Sequence, residues 1–232
     1  MNMQIHERLL LLNESIKQAT DKANRNLDQI QLVAISKTNP ADAVQEAFNA
    51  GQIIFGENRV QEAIEKMEKL QNFNQLEWHL VGHLQKNKAR FCPGRFQWIH
   101  SLESLELAKR LEKACFEQKQ NINILIQVNL SGEDSKSGLG NWDQLISLSE
   151  EIMKMEKIEL RGLMTMPAPN QGEVKTRKVF SKLREMQQKL QSILDVPQID
   201  QLSMGMTSDY EWAIMEGATM IRVGSAIFGP RN

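Results

Sequence analysis

Lys37 ends the apolar run Leu32-Val33-Ala34-Ile35-Ser36, a setting in which a primary amine can do chemistry. Held at a strand exit with its pKa lowered, such an amine condenses with an aldehyde. A solvated lysine at a strand end has the same local sequence, so its meaning depends on what else gathers there. Further on, Ser203-Met204-Gly205-Met206-Thr207-Ser208-Asp209 runs into a helical segment, Tyr210 to Met215, closed by Gly217. Ser208 and Glu211 have capping-box spacing. Glycine, two hydroxyls and backbone N–H groups ahead of a helix are the parts of an anion site, and Gly224-Ser225 supplies a second set. Two glycine turns followed by helices are equally ordinary connections. Arg222 lies between Ile221 and Val223 and faces opposite to both by strand alternation. With those two turned to outer helices, its guanidinium points inward and needs acceptors. His79 and His83 are spaced i, i+4 but sit on a strand turning into a loop, with no HExxH glutamate, so a metal pair is not expected.

These groups need a scaffold that brings distant segments to one end. After Lys37, Pro40 opens a helical segment closed by Gly51, and the strand-helix unit then repeats. Strands are predicted at Ile53–Asn58, Trp78–Gly82, Phe96–Ser101, Asn123–Leu130, Leu160–Met166, Gln201–Gly205 and Met220–Gly224. Helices are predicted from Val60 to Leu70 and Ser104 to Gln118, with a short basic one around Lys86 to Arg90. Eight strands in regular alternation predict an α/β chain with a closed (β/α)8 barrel of the TIM type, whose usual size is roughly 200 to 250 residues. An open doubly wound sheet is the competing arrangement, but no GxGxxG turn follows the first strand. In a barrel the exits converge at one rim, where ligands bind.

Composition narrows the function classes. The chain has 232 residues, one barrel domain's worth, with 28 Lys and Arg against 29 Asp and Glu. That near-neutral balance carries no nucleic-acid footprint. Cys92 and Cys115 form no CxxC or metal-spaced pair, as expected of inert thiols in a reducing compartment. Leu9 to Leu12, flanked by Glu7, Arg8 and Glu14, is too short and charged for a membrane span or signal peptide. With Ile5 and Ile16 it predicts an amphipathic helix, within residues 1–25, packed on the barrel. A cytoplasmic protein is expected, monomeric or at most weakly dimeric, without membrane or nucleic-acid partners.

An imine-forming lysine, an inward guanidinium and a phosphate cradle together describe pyridoxal 5'-phosphate, which has an aldehyde, a ring acceptor and a phosphate. At this point the chain closely resembles the pyridoxal phosphate homeostasis protein family, single-barrel relatives of the alanine racemase N-terminal domain. Leu32–Thr38, Phe55–Glu62, Trp78–Lys88, Ile99–Leu102, Ser135–Gly138, Gly162–Met166, Ser203–Asp209 and Arg222–Gly229 carry the resemblance, nearly end to end. Phe91–Arg95 and Pro167–Pro169 depart from the family's usual wording. The resemblance implies that Lys37 carries the cofactor as an internal aldimine and that Arg222 meets the pyridine nitrogen. It further implies that Ser203, Gly205, Met206, Gly224 and Ser225 hold the phosphate, with Asn58 near the ring and His79 and Met164 as neighbours. Non-catalytic cofactor homeostasis, affecting amino-acid and keto-acid balance, is the implied function, with apo-enzymes needing the cofactor as candidate recipients. An amino-acid racemase using Lys37 as one base is the alternative. In alanine racemase-like enzymes the second base is a tyrosine on a further β-domain. Here only Pro230-Arg231-Asn232 follow Gly229, and the sole tyrosine is Tyr210, so that base is not expected. Lys136, in the loop from Gly132 to Gly140, is a further candidate for gating the site or taking a second cofactor molecule.

Overall fold

The computed structural model describes residues 3–130 and 137–230. Ser131 and Lys136 lie outside them. Eight parallel strands close into a barrel in chain order, β1 (Gln31–Ile35), β2 (Ile54–Glu57), β3 (Glu77–Leu80), β4 (Trp98–Leu102), β5 (Ile122–Gln127), β6 (Ile158–Met164), β7 (Gln201–Ser203) and β8 (Met220–Val223). β1 pairs with β2 on one side and with β8 on the other, so these strands present no open edge. The open-sheet alternative is thereby excluded.

Around the barrel run α2 (Ala41–Asn49), α3 (Val60–Lys69), α4 (Leu105–Gln118), α5 (Trp142–Ile152), α6 (Glu173–Leu194), α7 (Tyr210–Met215) and α8 (Ser225–Phe228). The basic segment after β3 is a 3-10 helix, Lys86–Phe91. β7 is shorter than its apolar run predicts, because Gly205 takes φ +92 and leaves the extended region. A Cβ there would stand 2.6 Å from Ala213 Cβ and 3.0 Å from Tyr210 Cα, so glycine is what lets this turn meet α7. The predicted capping box at α7 does not form. Asp209 is the N-cap, and its carboxylate folds back to accept from the Met206 N–H at 2.6 Å.

Strand alternation sorts the apolar residues into two regions. Leu32 and Ala34 face the helices, whereas Val33 joins Val81, Trp98, Leu125, Met164 and Met220 inside the barrel. Barrel interiors are usually filled by branched apolar side chains. Here His79, His100, Ser203 and Arg222 are also buried, and Arg222 is only 4% exposed. Burial raises both Cys92 and Cys115 to about 12, consistent with unreactive thiols.

α1 (Ile5–Lys22) precedes the barrel and buries Leu9, Leu12, Ile16 and Ala19 where it packs on α2, α7 and α8. Each leucine so buried contributes about 1.5–3 kcal/mol. Polar contacts fix its register: Tyr210 Oη donates to Ser15 Oγ at 2.8 Å, and Arg25 donates to the Ala218 carbonyl at 2.7 Å. Among the described residues, no helix is long and apolar enough to cross a membrane.

Candidate functional site

A cavity of about 510 Å3 opens at the strand exits. That is within the range of small-ligand sites, about 300–1,000 Å3. Lys37 and Ile35 enter it from β1 and its loop, Asn58 from the loop after β2, and Val81, Gly82 and His83 from beyond β3. Gln127, Ser137 and Met166 line another side, and Met206, Thr207 and Ser208 come from the loop before α7. Arg222, Gly224 and Ser225 complete it. Among the described lining residues there is one lysine, one arginine and no carboxylate. Such a wall favours an anionic ligand.

The Lys37 side is held by an ionic cluster from α3. Lys66 Nζ donates to the Ser36 carbonyl at 2.7 Å, to Glu57 Oε1 at 2.6 Å and to Glu62 Oε1 at 3.1 Å. Glu62 also accepts from the Thr38 N–H at 2.6 Å, and Ser36 Oγ donates to Glu57 at 2.6 Å. Both chain neighbours of Lys37 are thus tied to one cluster, Ser36 through Lys66 and Glu57 and Thr38 through Glu62. Burial raises the Glu57 pKa, and the bonds from Lys66 and Ser36 offset only part of that. For Glu62 burial acts in the same sense, but the Thr38 and Lys66 bonds outweigh it and its pKa is lowered. Thr38 takes φ +65, a strained conformation for a β-branched residue. On the next loop, Gly82 lets the chain press on Asn58: a Cβ would fall 2.3 Å from the Asn58 carbonyl oxygen.

On the opposite side, Arg222 points into the barrel. Its guanidinium donates to Ser203 Oγ at 2.6 Å and to the Thr165 carbonyl at 2.9 Å. Burial lowers its pKa to about 10, so it stays charged at neutral pH. Ser203 Oγ in turn lies 2.8 Å from His100 Nδ1, His100 Nε2 lies 2.9 Å from His79 Nδ1, and His79 Nε2 lies 2.8 Å from Glu77 Oε1. A line of polar groups therefore runs from Arg222 to the start of β3. Burial lowers the pKa of both imidazoles, most strongly for His100, which also feels His79 and Arg222. Glu77 is lowered by its bond to His79.

Of the residues expected at the site, Lys37, Asn58, Met206, Arg222, Gly224 and Ser225 meet on the cavity wall. Ser203, Gly205, His79 and Met164 are not part of that wall. Ser203 and His79 belong to the line beneath Arg222, Met164 packs in the barrel interior, and Gly205 accepts the Arg222 N–H through its carbonyl at 2.9 Å. Residues two positions further along, Val81 and Met166, share the inward facing but reach the cavity. Thr207 and Ser208, whose hydroxyls had suggested an anion site, are on the wall, and Thr207 Oγ1 lies 3.4 Å from the Gly224 N–H. Gln127 was not anticipated, although a polar residue ending the run Ile124-Leu125-Ile126 in phase with Leu125 marks it. His79 and His83 diverge because the strand ends at Leu80: His79 stays in the line beneath Arg222, whereas His83, beyond the strand, pairs with Glu103 at 3.0 Å.

Comparison with known proteins places this geometry. Residues 12–232 match the model of the alanine racemase N-terminal domain. The pyridoxal phosphate homeostasis protein of Haemophilus influenzae is 42% identical, over 99% of this chain and 97% of that protein. Its counterpart in Escherichia coli K12 is 39% identical, over 98% of this chain and 97% of that protein. PipY of Synechococcus elongatus, solved with PLP bound, superposes with a TM-score of 0.87 at 38% identity, covering 97% of this chain and all of PipY. The chain belongs to the alanine racemase N-terminal-domain family and, within it, to the pyridoxal phosphate homeostasis proteins.

Proposed function

We propose that this protein binds pyridoxal 5'-phosphate through Lys37 and acts in intracellular homeostasis of that cofactor rather than in substantial catalytic turnover. The observation that carries the reading is the cavity wall itself, where Lys37 and Arg222 share one space with no carboxylate among its described lining residues. PipY, solved with PLP bound, and relatives named pyridoxal phosphate homeostasis protein support it.

The donor set suits each part of the cofactor. Lys37 supplies the amine for the aldehyde. Thr207, Ser208, Gly224 and Ser225 would meet the phosphate with backbone N–H groups and hydroxyls, beside Met206, whose own N–H is held by Asp209. Ser203 and Gly205 stand beneath this wall and hold Arg222, Ser203 by its hydroxyl and Gly205 by its carbonyl. Asn58 sits beside the ring. Arg222 faces the ring nitrogen, and a guanidinium cannot accept a proton, so it keeps that nitrogen unprotonated. When bound, the cofactor supplies an electron-withdrawing ring, and an unprotonated nitrogen weakens that property. This is the chemical basis for a holder of the cofactor rather than a transaminase or decarboxylase. We assign the protein to the cytoplasm, as a monomer without membrane or nucleic-acid partners, and enzymes awaiting the cofactor are the recipients.

Borohydride reduction of the protein mixed with pyridoxal phosphate, followed by peptide mapping, tests the assignment. The label is expected on Lys37 and is lost in Lys37→Ala. Label spread over surface lysines, or retained in that variant, overturns it. Exchange of amino-acid α-protons in deuterated buffer, dependent on Lys37, would return the racemase reading.

A further inference from the structure

The line of groups beneath Arg222 has two ends of opposite character. A guanidinium can only donate, and an ionised carboxylate can only accept. Between them stand one hydroxyl and two imidazoles at 2.8 to 2.9 Å. We infer that Glu77, His79, His100 and Ser203 form a hydrogen-bond chain of fixed polarity that positions Arg222, with both imidazoles neutral and protonated on Nε2.

The assignment follows by tracing the protons. Arg222 gives an N–H to Ser203 Oγ. The Ser203 hydroxyl then gives its own proton to His100 Nδ1, the His100 Nε2–H goes to His79 Nδ1, and the His79 Nε2–H goes to Glu77. Every donor meets an acceptor. The reversed order puts two acceptors face to face at 2.8 Å between His79 and an ionised Glu77. It also leaves the Ser203 hydroxyl accepting from both sides and donating to nothing among the described residues. A third order, with His79 doubly protonated, has the same fault at Ser203 and places a cation in the barrel interior on the Arg222 side. Only the first order satisfies all the groups.

The arrangement keeps carboxylates out of direct contact with the guanidinium: Asp209, whose charge it feels, is not among its hydrogen-bond partners. A carboxylate in direct contact with Arg222 would neutralise it and compete for the N–H groups that face the cavity. The carboxylate that ends the chain, Glu77, stands at the start of β3, four hydrogen bonds away from the guanidinium. Its influence is passed on as aligned dipoles. His100, His79 and Glu77 are thus positioning residues. The inference rests on the reading above that Arg222 meets the ring nitrogen of pyridoxal phosphate, but its tautomer content does not.

Two measurements separate these. Full-length protein carrying 15N-labelled histidine, without cofactor, is expected to give unprotonated Nδ1 and protonated Nε2 for two histidines. His6→Gln and His83→Gln variants identify the remaining pair as His79 and His100. A protonated Nδ1 at either overturns the chain, whatever the protein binds. The second arm compares Ser203→Ala with the unaltered protein for pyridoxal phosphate and for its analogue with carbon replacing the ring nitrogen. Loss of one well-made hydrogen bond corresponds to roughly tenfold in affinity. About that loss is expected for pyridoxal phosphate and little for the analogue. Equal losses for both ligands would mean that Ser203 is merely structural, and would overturn the positioning role.

Discussion

On the β1–β2 side of the cavity, Glu57, Glu62 and Lys66 bring charged groups to the backbone on either side of Lys37, whereas on the β7–β8 side a hydroxyl, a carbonyl and two imidazoles hold the side chain of Arg222. The difference matches the tasks. Lys37, for which bond formation is proposed, has both neighbouring residues anchored. A guanidinium that must keep its charge is gripped directly, by acceptors carrying none. The first arrangement concentrates the electrostatic cost in a buried ion pair, and the second spreads a smaller cost over several satisfied polar groups.

Removing one member of the ion pair should separate the two sides most sharply. Lys66→Met leaves Glu57 buried without its partner, and a loss of about 3–5 kcal/mol is expected in urea denaturation. Glu57→Leu with Lys66→Met should recover most of that stability while slowing attachment at Lys37, because the loop clamp is still absent. On the other side, His100→Phe strands the Ser203 hydroxyl and His79 Nδ1, and a smaller loss of about 1–3 kcal/mol is expected by the same method.

Acid should weaken the Arg222 side before it weakens the other. His79 and His100 have lowered folded pKa values, so below an unfolded value of about 6.5 the unfolded chain binds protons that the folded barrel refuses. Their stabilisation is complete above that pH and declines as pH falls, by up to about 1.4 kcal/mol per pH unit for each imidazole. Glu57, raised by burial, takes its proton in the folded state first and works against this trend. Denaturation profiles between pH 7.5 and 5.5 should therefore slope downward, and no slope would mean that the imidazoles protonate in the folded state. The smallest effect belongs to Thr38. Thr38→Asn relaxes a positive φ that asparagine tolerates and should add about 0.5–1 kcal/mol, read as a rise in the urea midpoint.

The barrel was legible from strand-helix alternation and the inward facing of Arg222 from its apolar neighbours, because both are local periodicities. Depth along the barrel axis was not. Ser203, His79 and Met164 face inward as their phases require but lie below the cavity, and shear between strands sets that depth. Glu62 and Lys66 stand at helical i, i+4 spacing, a readable pair, yet nothing in the chain announces that Glu57 joins them. The contact between His100 and Ser203 spans 103 positions, beyond any local pattern.

The packing of α1 also has a consequence for biosynthesis. Ser15 meets Tyr210 across 195 positions, an interval of roughly 10–40 s at elongation rates of about 5–20 residues per second. For most of it, Leu9, Leu12 and Ile16 wait for α7 and α8, two of the three helices on which α1 packs. The stripe that packs on the finished barrel is for that time an incompletely covered apolar surface, and a nascent chain stalled ahead of α7 is expected to bind holding chaperones.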